Sequence, residues 1–247
     1  MKKRVVIGDL HGIGIWKDIL NKEKPDSVIF LGDYFDSFNI PPLVQKINFD
    51  DLLDYKANHP NTILLLGNHD FHYLSTKIVE QYSGYNNETQ SLIGYSNNVL
   101  DKCLDDGMNI VYIDKINQTI YSHAGVSQKW MNEHIPENNL QLINTASLTS
   151  MKFTYRDGGD WYGSSEFSSP IWIRPEGLLK CPYKDNAGII WNQVYGHTNK
   201  IQPTKDKVGD AEFWDIDCLG RGYYIVELMS DNGKIFDRTI KRFEFDD

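Results

Sequence analysis

The stretch Gly8-Asp9-Leu10-His11-Gly12 directly follows the apolar run Val5-Val6-Ile7. A short β-branched run that stops at a glycine predicts a buried strand that ends in a loop. Side chains alternate along an extended segment, so Asp9 and His11 point the same way and can share a divalent cation. Alone, the pattern is also typical of an Asp that caps a helix or supports a turn. Its recurrence along the chain is what favours a site.

Two further apolar runs end in the same way. Residues 27–31 predict a strand that runs into Gly32-Asp33, and residues 62–66 predict a strand that runs into Gly67-Asn68-His69-Asp70. Helical spacing over 13–24 and 41–55 separates these strands, which predicts parallel strands joined by helices. Ligands of open α/β sheets gather outside the carboxyl ends of the strands, so these loops should lie together.

The second half of the chain is richer in predicted strands. Residues 109–113 and 118–122 predict a hairpin that leads to His123-Ala124-Gly125, and residues 191–195 a strand that leads to Gly196-His197-Thr198. Three more β-like runs lie at 213–216, 223–228 and 234–245. Helices early and strands late predict an α/β fold in which a sheet sandwich carries helices on its outside.

Composition limits the protein class. The 247 residues, 40% hydrophobic, suffice for a core, and we expect one domain over 1–247 with a cap segment at 71–98. A net charge of −9 argues against stable nucleic-acid binding. Three cysteines without close pairing, no signal peptide and no membrane span predict a cytoplasmic location. The oligomeric state stays open.

The strand-end loops offer oxygen and imidazole donors without thiolates. Such a set suits Mn, Zn, Fe or a similar divalent metal better than a structural zinc cluster. An Asp can bridge two cations, and two metals roughly 3.5–4 Å apart are the usual device for displacement at phosphorus. The candidate donors are Asp9, His11, Asp33, Asn68, His69, His123 and His197.

Five motifs in order resemble the calcineurin-like metallophosphoesterases, and among them the phosphoprotein-phosphatase branch with its small bacterial and bacteriophage lambda type enzymes. They are Gly-Asp-Leu-His-Gly at 8–12, Gly-Asp-Tyr-Phe-Asp at 32–36, Gly-Asn-His-Asp at 67–70, Ser-His-Ala-Gly at 122–125 and Gly-His-Thr at 196–198, and they span about three quarters of the chain. The resemblance implies a β-sandwich of two mixed sheets flanked by helices.

The resemblance also implies a role for each residue. Asp9, His11 and Asp33 would hold one metal ion, and Asp33, Asn68, His123 and His197 the other, with Mn favoured and Fe, Zn or Ni as alternatives. A hydroxide held by both ions would attack the phosphorus. His69 would protonate the leaving oxygen as general acid, with Asp36 holding its imidazole. Asp70 is expected to support the site structurally.

The chain has fewer of the phosphate-binding arginines than the family has. Ile171-Trp172-Ile173-Arg174-Pro175 is similar to the family segment that supplies a phosphate-binding arginine, and Arg174 and Asn68 are the predicted substrate contacts. An Arg174 whose stem only packs on Trp172 is the competing interpretation. Phosphoprotein phosphatases carry Asp-Arg-Gly where this chain has Asp36-Ser37-Phe38, so one phosphate-binding arginine is missing unless another residue, such as Arg156, replaces it.

Three functions therefore remain open. The first is a two-metal phosphatase for phosphomonoesters, phosphoproteins among them. The second is a nucleotide hydrolase of the symmetrical diadenosine-tetraphosphatase type, and the third is a binding module that has lost catalysis. Asn199 stands where many nucleases of the superfamily have a second metal-binding His, which disfavours a nuclease.

Overall fold

The computed structural model describes residues 1–74, 83–94, 97–146, 153 and 163–244. Its strands are β1 (Lys2–Ile7), β2 (Ser27–Phe30), β3 (Thr62–Leu64), β4 (Val111–Asp114), β5 (Thr119–Ser122), β6 (Asn192–Tyr195), β7 (Thr204–Val208), β8 (Ala211–Asp215), β9 (Tyr223–Met229) and β10 (Ile235–Arg242). Its α-helices are α1 (Trp16–Glu23), α2 (Pro42–Asn58), α3 (Asn68–Phe71), α4 (Asn87–Ile93), α5 (Val99–Asp105), α6 (Gln128–His134), α7 (Gln141–Asn144) and α8 (Pro175–Lys180). Across these ranges, no helix combines the length and the apolar character that crossing a membrane requires.

The strands form two five-stranded mixed sheets. The first has the order β10-β9-β1-β2-β3, with β1, β2 and β3 parallel and β9 and β10 antiparallel to their neighbours. The second has the order β4-β5-β6-β8-β7, with β5, β6 and β8 parallel and an antiparallel strand at each edge. Each sheet thus contains three adjacent parallel strands whose carboxyl ends share one edge.

The core follows from the alternation of side chains along the strands. Val6 of β1 faces the second sheet and shares a buried cluster with Tyr121 and Val194. Its neighbours Val5 and Ile7 point to the other face, into the cluster that contains Ile19 of α1 and other helix residues. On the outer face of the second sheet, Leu178 of α8 packs with Tyr195 and Phe213. The predicted sandwich of two mixed sheets flanked by helices is confirmed.

The predicted elements differ from the observed ones where the sequence carries little hydrophobic pattern. The helix predicted over 13–24 begins at Trp16, and the hairpin is β4 and β5. Strand β7 reads Thr-Lys-Asp-Lys-Val, without apolar alternation, and it was missed because an edge strand buries little. Helix α6 was also missed.

The predicted cap segment at 71–98 is described only at 71–74, 83–94 and 97–98, where it contains α4. Arg156 lies outside the described residues. The single-domain prediction stays a prediction.

Candidate active site

The predicted metal ligands and His69 all lie in segments that follow the carboxyl ends of strands. Because β1, β2 and β3 are parallel neighbours, the loops after them meet at one edge, and the loops after β5 and β6 reach the same edge from the facing sheet. Ligand atoms of three site residues lie within 4.8 Å of one another in each of two groups that share Asp33. The structure therefore brings together the donors that the sequence predicts.

The first group is Asp9, His11 and Asp33. His11 Nδ1 lies 2.6 Å from the carbonyl oxygen of Phe35, so this nitrogen carries the proton and donates it there. The lone pair is then on Nε2, which lies 3.7 Å from Asp33 Oδ2. Burial, followed by the nearby His69, lowers the pKa of His11 to about 4, which keeps the imidazole neutral.

The second group is Asp33, His123 and His197, joined by Asn68. His123 Nδ1 donates to the carbonyl oxygen of Leu31 at 3.1 Å, which leaves the lone pair on Nε2. That atom lies 2.8 Å from Asn68 Oδ1, 3.4 Å from Asp33 Oδ2 and 3.3 Å from His197 Nδ1. Asn68 Oδ1 is also 2.9 Å from His197 Nδ1.

This arrangement fits a divalent cation. Burial lowers the pKa of His123 well below its usual value, and burial together with Arg174 lowers the pKa of His197 to about 3. Neutral His123 has no second proton to share, so its Nε2 lone pair faces the oxygens of Asn68 and Asp33. Donor atoms about 3 Å apart match the edges of a coordination shell with bonds of about 2.1 Å. His197 Nε2, also buried, has no hydrogen-bond partner among the described residues.

An imidazole and a carboxylate stand beside the two groups. His69 Nδ1 donates to Asp36 Oδ2 at 3.0 Å, and the Tyr73 hydroxyl donates to Asp36 Oδ1. His72 Nε2 lies 2.6 Å from Asp36 Oδ2. Burial opposes charge on His69, but Asp33, Asp36 and Asp70 outweigh it and raise the pKa of His69 to about 9. A protonated imidazole at this place can give a proton to a leaving group.

These residues surround an open cavity of about 680 Å³. Arg174 lies on its wall and carries the fixed positive charge there, against the four carboxylates of Asp9, Asp33, Asp36 and Asp217 among the described lining residues. Such a wall repels an anion unless cations neutralise it. The residues on this wall are Asp9, His11, Asp33, Asp36, Ser37, Phe38, Asn39, Asn68, His69, Ser83, Trp172, Arg174, His197, Asn199 and Asp217.

Backbone geometry holds the loops in place. His11, Asp33, Asp36 and His197 have positive φ angles of 42, 51, 66 and 67°. Such angles are uncommon outside glycine and are typical of functional loops.

The buried Asp70 ties the second loop to the third, because its carboxylate accepts from the backbone N–H groups of Asp33, Tyr34 and Gly67 at 2.8 to 3.0 Å. This fits the structural role expected of Asp70.

Glycine is required where the second and third loops touch. A Cβ atom on Gly67 would lie 2.1 Å from Asp33 Oδ1, a distance that no side chain tolerates. The bare backbone lets Asp33 Oδ1 accept from the N–H of His69 at 2.9 Å. Gly67 of the third motif thus leaves the space that the Asp33 carboxylate needs for its orientation.

Sequence reasoning missed three residues at the site. Asp217 lies on the cavity wall just after β8, together with Asp9 and Asn199. Strand β8 is a parallel neighbour of β6, so an acid two residues beyond its end was a usable signal even without a glycine. His72 and Tyr73, which hold Asp36, gave no such signal because they act through a four-residue helix.

A family model described as calcineurin-like phosphoesterase matches residues 2–200. A comparison with curated protein sequences gives no match.

Solved structures share the fold at low sequence identity. The cold-active protein-tyrosine phosphatase of a psychrophilic Shewanella species is 16% identical, with a TM-score of 0.60 over 99% of this chain and 81% of that chain. A protein serine/threonine phosphatase from Saccharomyces cerevisiae is 16% identical, with a TM-score of 0.59 over 100% of this chain and 81% of that one. A metallophosphoesterase from Sphaerobacter thermophilus is 13% identical, with a TM-score of 0.51 over 99% and 89% of the two chains.

Proposed function

This chain belongs to the calcineurin-like phosphoesterase family, a family of metal-dependent phosphoester hydrolases, and we propose that it hydrolyses phosphomonoesters with two divalent metal ions. The observation that carries the proposal is the set of side chains that line one cavity. Two groups of carboxylate and imidazole donors, a carboxylate-held imidazole and a guanidinium face the same space. Together they provide for metal binding, protonation of a leaving group and capture of a phosphoryl group.

The two donor groups define the proposed metal ligands. Asp9, His11 and Asp33 hold one ion, and Asp33, Asn68, His123 and His197 hold the other, so that Asp33 belongs to both. Divalent cations supply a nucleophilic oxygen at neutral pH and stabilise charge on phosphoryl oxygens. Manganese is our first choice because the donors are oxygens and imidazoles, with Fe, Zn and Ni as alternatives.

His69 acts as the general acid in this proposal. Its Nδ1 proton stays with Asp36, so its Nε2 proton is the one available to the leaving oxygen. Asp36 fixes the ring and favours its protonated form, as the pKa of about 9 for His69 reflects, burial being outweighed by Asp33, Asp36 and Asp70. Arg174, which also lines the cavity, binds the phosphoryl group, because its forked guanidinium can contact two oxygens.

The metal requirement tests the proposal directly. Protein dialysed against a chelator should hydrolyse neither 4-nitrophenyl phosphate nor phosphopeptides, and added Mn²⁺ should restore turnover of at least one of them. Bis(4-nitrophenyl) phosphate, a diester, is the matched control and should be a much poorer substrate. If metal stimulates turnover of no monoester, the proposed function is wrong.

Arg174 provides a second test, aimed at substrate binding. Replacing Arg174 by Gln should lower kcat/KM for monoesters about tenfold to hundredfold, since hydrogen bonds to charged groups contribute about 1.5–3 kcal/mol. Inorganic phosphate should inhibit the variant more weakly, while bound metal is unchanged. Arg174→Lys should recover only part of the loss because it keeps the charge without the fork. Arg221→Gln, at an exposed site, is the control. An unchanged KM and kcat in Arg174→Gln would instead favour an arginine whose stem only packs.

The second candidate function is hydrolysis of diadenosine tetraphosphate to ADP. It is favoured by Ser37 in place of an arginine and by the 80% exposed ring of Phe38, which lies on the cavity wall with Trp172 and offers a surface for a nucleobase. Release of ADP at a higher kcat/KM than that for monoesters would support it, and no release of ADP would exclude it.

A further inference from the structure

We propose that His72 is a positioning residue for His69: with Tyr73 it holds the Asp36 carboxylate that orients the His69 imidazole. This inference rests on the proposed function and deepens it, because it names the groups that hold the general acid. The evidence is a cluster of side chains around the buried Asp36 carboxylate, which stands beside the two proposed metal groups.

The cluster forms because of a single helical turn. Helix α3 begins at Asn68 and ends at Phe71, and His72 is its carboxyl-terminal cap. His69, His72 and Tyr73 are therefore three and four residues apart, which places their side chains on one face. That face contacts Asp36, which lies in the loop after β2 and has a positive φ of 66°.

Asp36 is held from three directions. Its Oδ2 accepts from His69 Nδ1 at 3.0 Å and lies 2.6 Å from His72 Nε2, and its Oδ1 accepts from the Tyr73 hydroxyl. The side chains of Asp36 and His72 are fully buried, while that of His69 is 20% exposed. His69 can therefore reach the cavity, while His72 lies behind the carboxylate and acts only through it.

Residues 84–86 of the cap segment pack against this cluster. The N–H of Asn86, at the start of α4, donates to the Tyr73 hydroxyl at 2.9 Å. Tyr85 stacks on Tyr73 with ring centroids 5.4 Å apart and meets His72 edge-on at 5.3 Å. A Cβ on Gly84, whose φ is +96°, would lie 3.1 Å from Asp36 Cβ and 3.2 Å from the His69 ring. The glycine lets the backbone cover the pair closely.

A general acid must point at the leaving oxygen, so a carboxylate fixed by His72 and Tyr73 limits the rotation of the His69 ring. Loss of this support should matter most when the leaving group needs a proton. An alkyl phosphate has a poor leaving group and depends on the acid, whereas 4-nitrophenolate leaves readily without it. The dependence on the leaving group separates a positioning role from a general loss of folded protein.

The test compares His72→Leu, which removes the donor, with His72→Gln, which restores an N–H. His72→Leu should lower kcat for an alkyl phosphate about tenfold or more, the range found for groups that orient a metal ligand through a hydrogen bond. It should lower kcat for 4-nitrophenyl phosphate much less and leave KM and bound metal unchanged. His72→Gln should recover most of the loss. Tyr73→Phe keeps the ring and should repeat the pattern if His72→Leu folds poorly, and the exposed His59→Leu is the control.

A spectroscopic readout does not depend on turnover. In zinc-loaded protein, proton NMR should show strongly downfield imidazole N–H resonances from His69 and His72, because both donate to the same carboxylate. His72→Leu should remove one resonance and shift the other.

The following outcomes would overturn the inference. Equal losses on both substrates, or a His72→Gln variant no better than His72→Leu, would make His72 a structural residue only. A third bound metal ion that disappears in His72→Leu would assign the cluster of Asp36, His69 and His72 to a cation instead, since their ligand atoms lie within 4.8 Å of one another. A parent enzyme that is inactive on every phosphate ester would refute the proposed function as well. A parent that is active, with a His72→Leu variant of equal activity, would refute only the role of His72.

Discussion

Asp33→Asn should leave the protein folded but largely without metal, and should lower kcat/KM by more than about a hundredfold, the upper range for groups that only support a metal ligand. Asp33 Oδ2 lies between the two donor groups, 3.7 Å from His11 Nε2 and 3.4 Å from His123 Nε2. An amide there removes the negative charge that both cations would share. It also offers N–H donors to the two lone pairs that should bind metal.

The backbone around Asp33 should tolerate this change. Asn adopts positive φ at least as readily as Asp, so the φ of 51° is no obstacle. The amide oxygen can still accept from the N–H of His69, as Asp33 Oδ1 does at 2.9 Å. Circular dichroism should therefore match the parent while metal analysis does not.

Metal content measured by mass spectrometry after gel filtration checks this prediction. Asp54→Asn, on an exposed position of α2, makes the same chemical change away from the site and should keep both metal and activity. Two tightly bound ions and parental turnover in Asp33→Asn would show that Asp33 does not bridge the two groups.

The strand-end donors could be predicted because two simple rules apply together. Asp9, Asp33 and Asn68 each follow an apolar run, and β1, β2 and β3 are parallel, so the ends of these runs meet at one edge. His123 and His197 follow β5 and β6, which are parallel neighbours in the second sheet. The face-to-face packing of the sheets then places both edges around one cavity.

Residues that depend on short or weakly patterned elements could not be predicted in this way. His72 and Tyr73 reach Asp36 through one turn of helix, which is too short for hydrophobic periodicity to reveal. Strand β7 has no apolar alternation, and only its pairing with β8 identifies it. Asp217 is a different case, because its position after β8 resembles that of Asp33 after β2 but lacks the glycine that marked the other loops.

Ser37 and Arg174 show what a local sequence pattern can say about the substrate. The absence of an arginine after Asp36 is visible in the sequence, and the structure places Ser37 and the exposed Phe38 on the cavity wall at that point. Among the described lining residues, Arg174 then carries the fixed positive charge alone. A cavity with one guanidinium and the exposed ring of Phe38 should favour substrates whose leaving group is aromatic. An aryl and an alkyl phosphate compared at equal leaving-group pKa would reveal this preference.

His69→Asn should have the opposite signature to Asp33→Asn: metal retained and chemistry lost. The side-chain amide of Asn can donate to Asp36 Oδ2 near the place of Nδ1, but it cannot deliver a proton as imidazole Nε2 can. Turnover of an alkyl phosphate should fall by roughly a hundredfold to ten-thousandfold, the usual contribution of a general acid, and turnover of 4-nitrophenyl phosphate should fall less.

Metal stoichiometry distinguishes a metal ligand from a general acid, because replacing a ligand should release metal and replacing the acid should not. The measurement is needed here since His69 is next in sequence to the proposed ligand Asn68. His59→Asn, at an exposed position, is the matched control and should behave like the parent. If His69→Asn loses metal as Asp33→Asn does, His69 binds a cation and the division between ligands and acid is wrong. If it keeps metal and loses turnover equally for both leaving groups, the proton must come from elsewhere, because only a proton donor makes the loss depend on how readily the oxygen leaves.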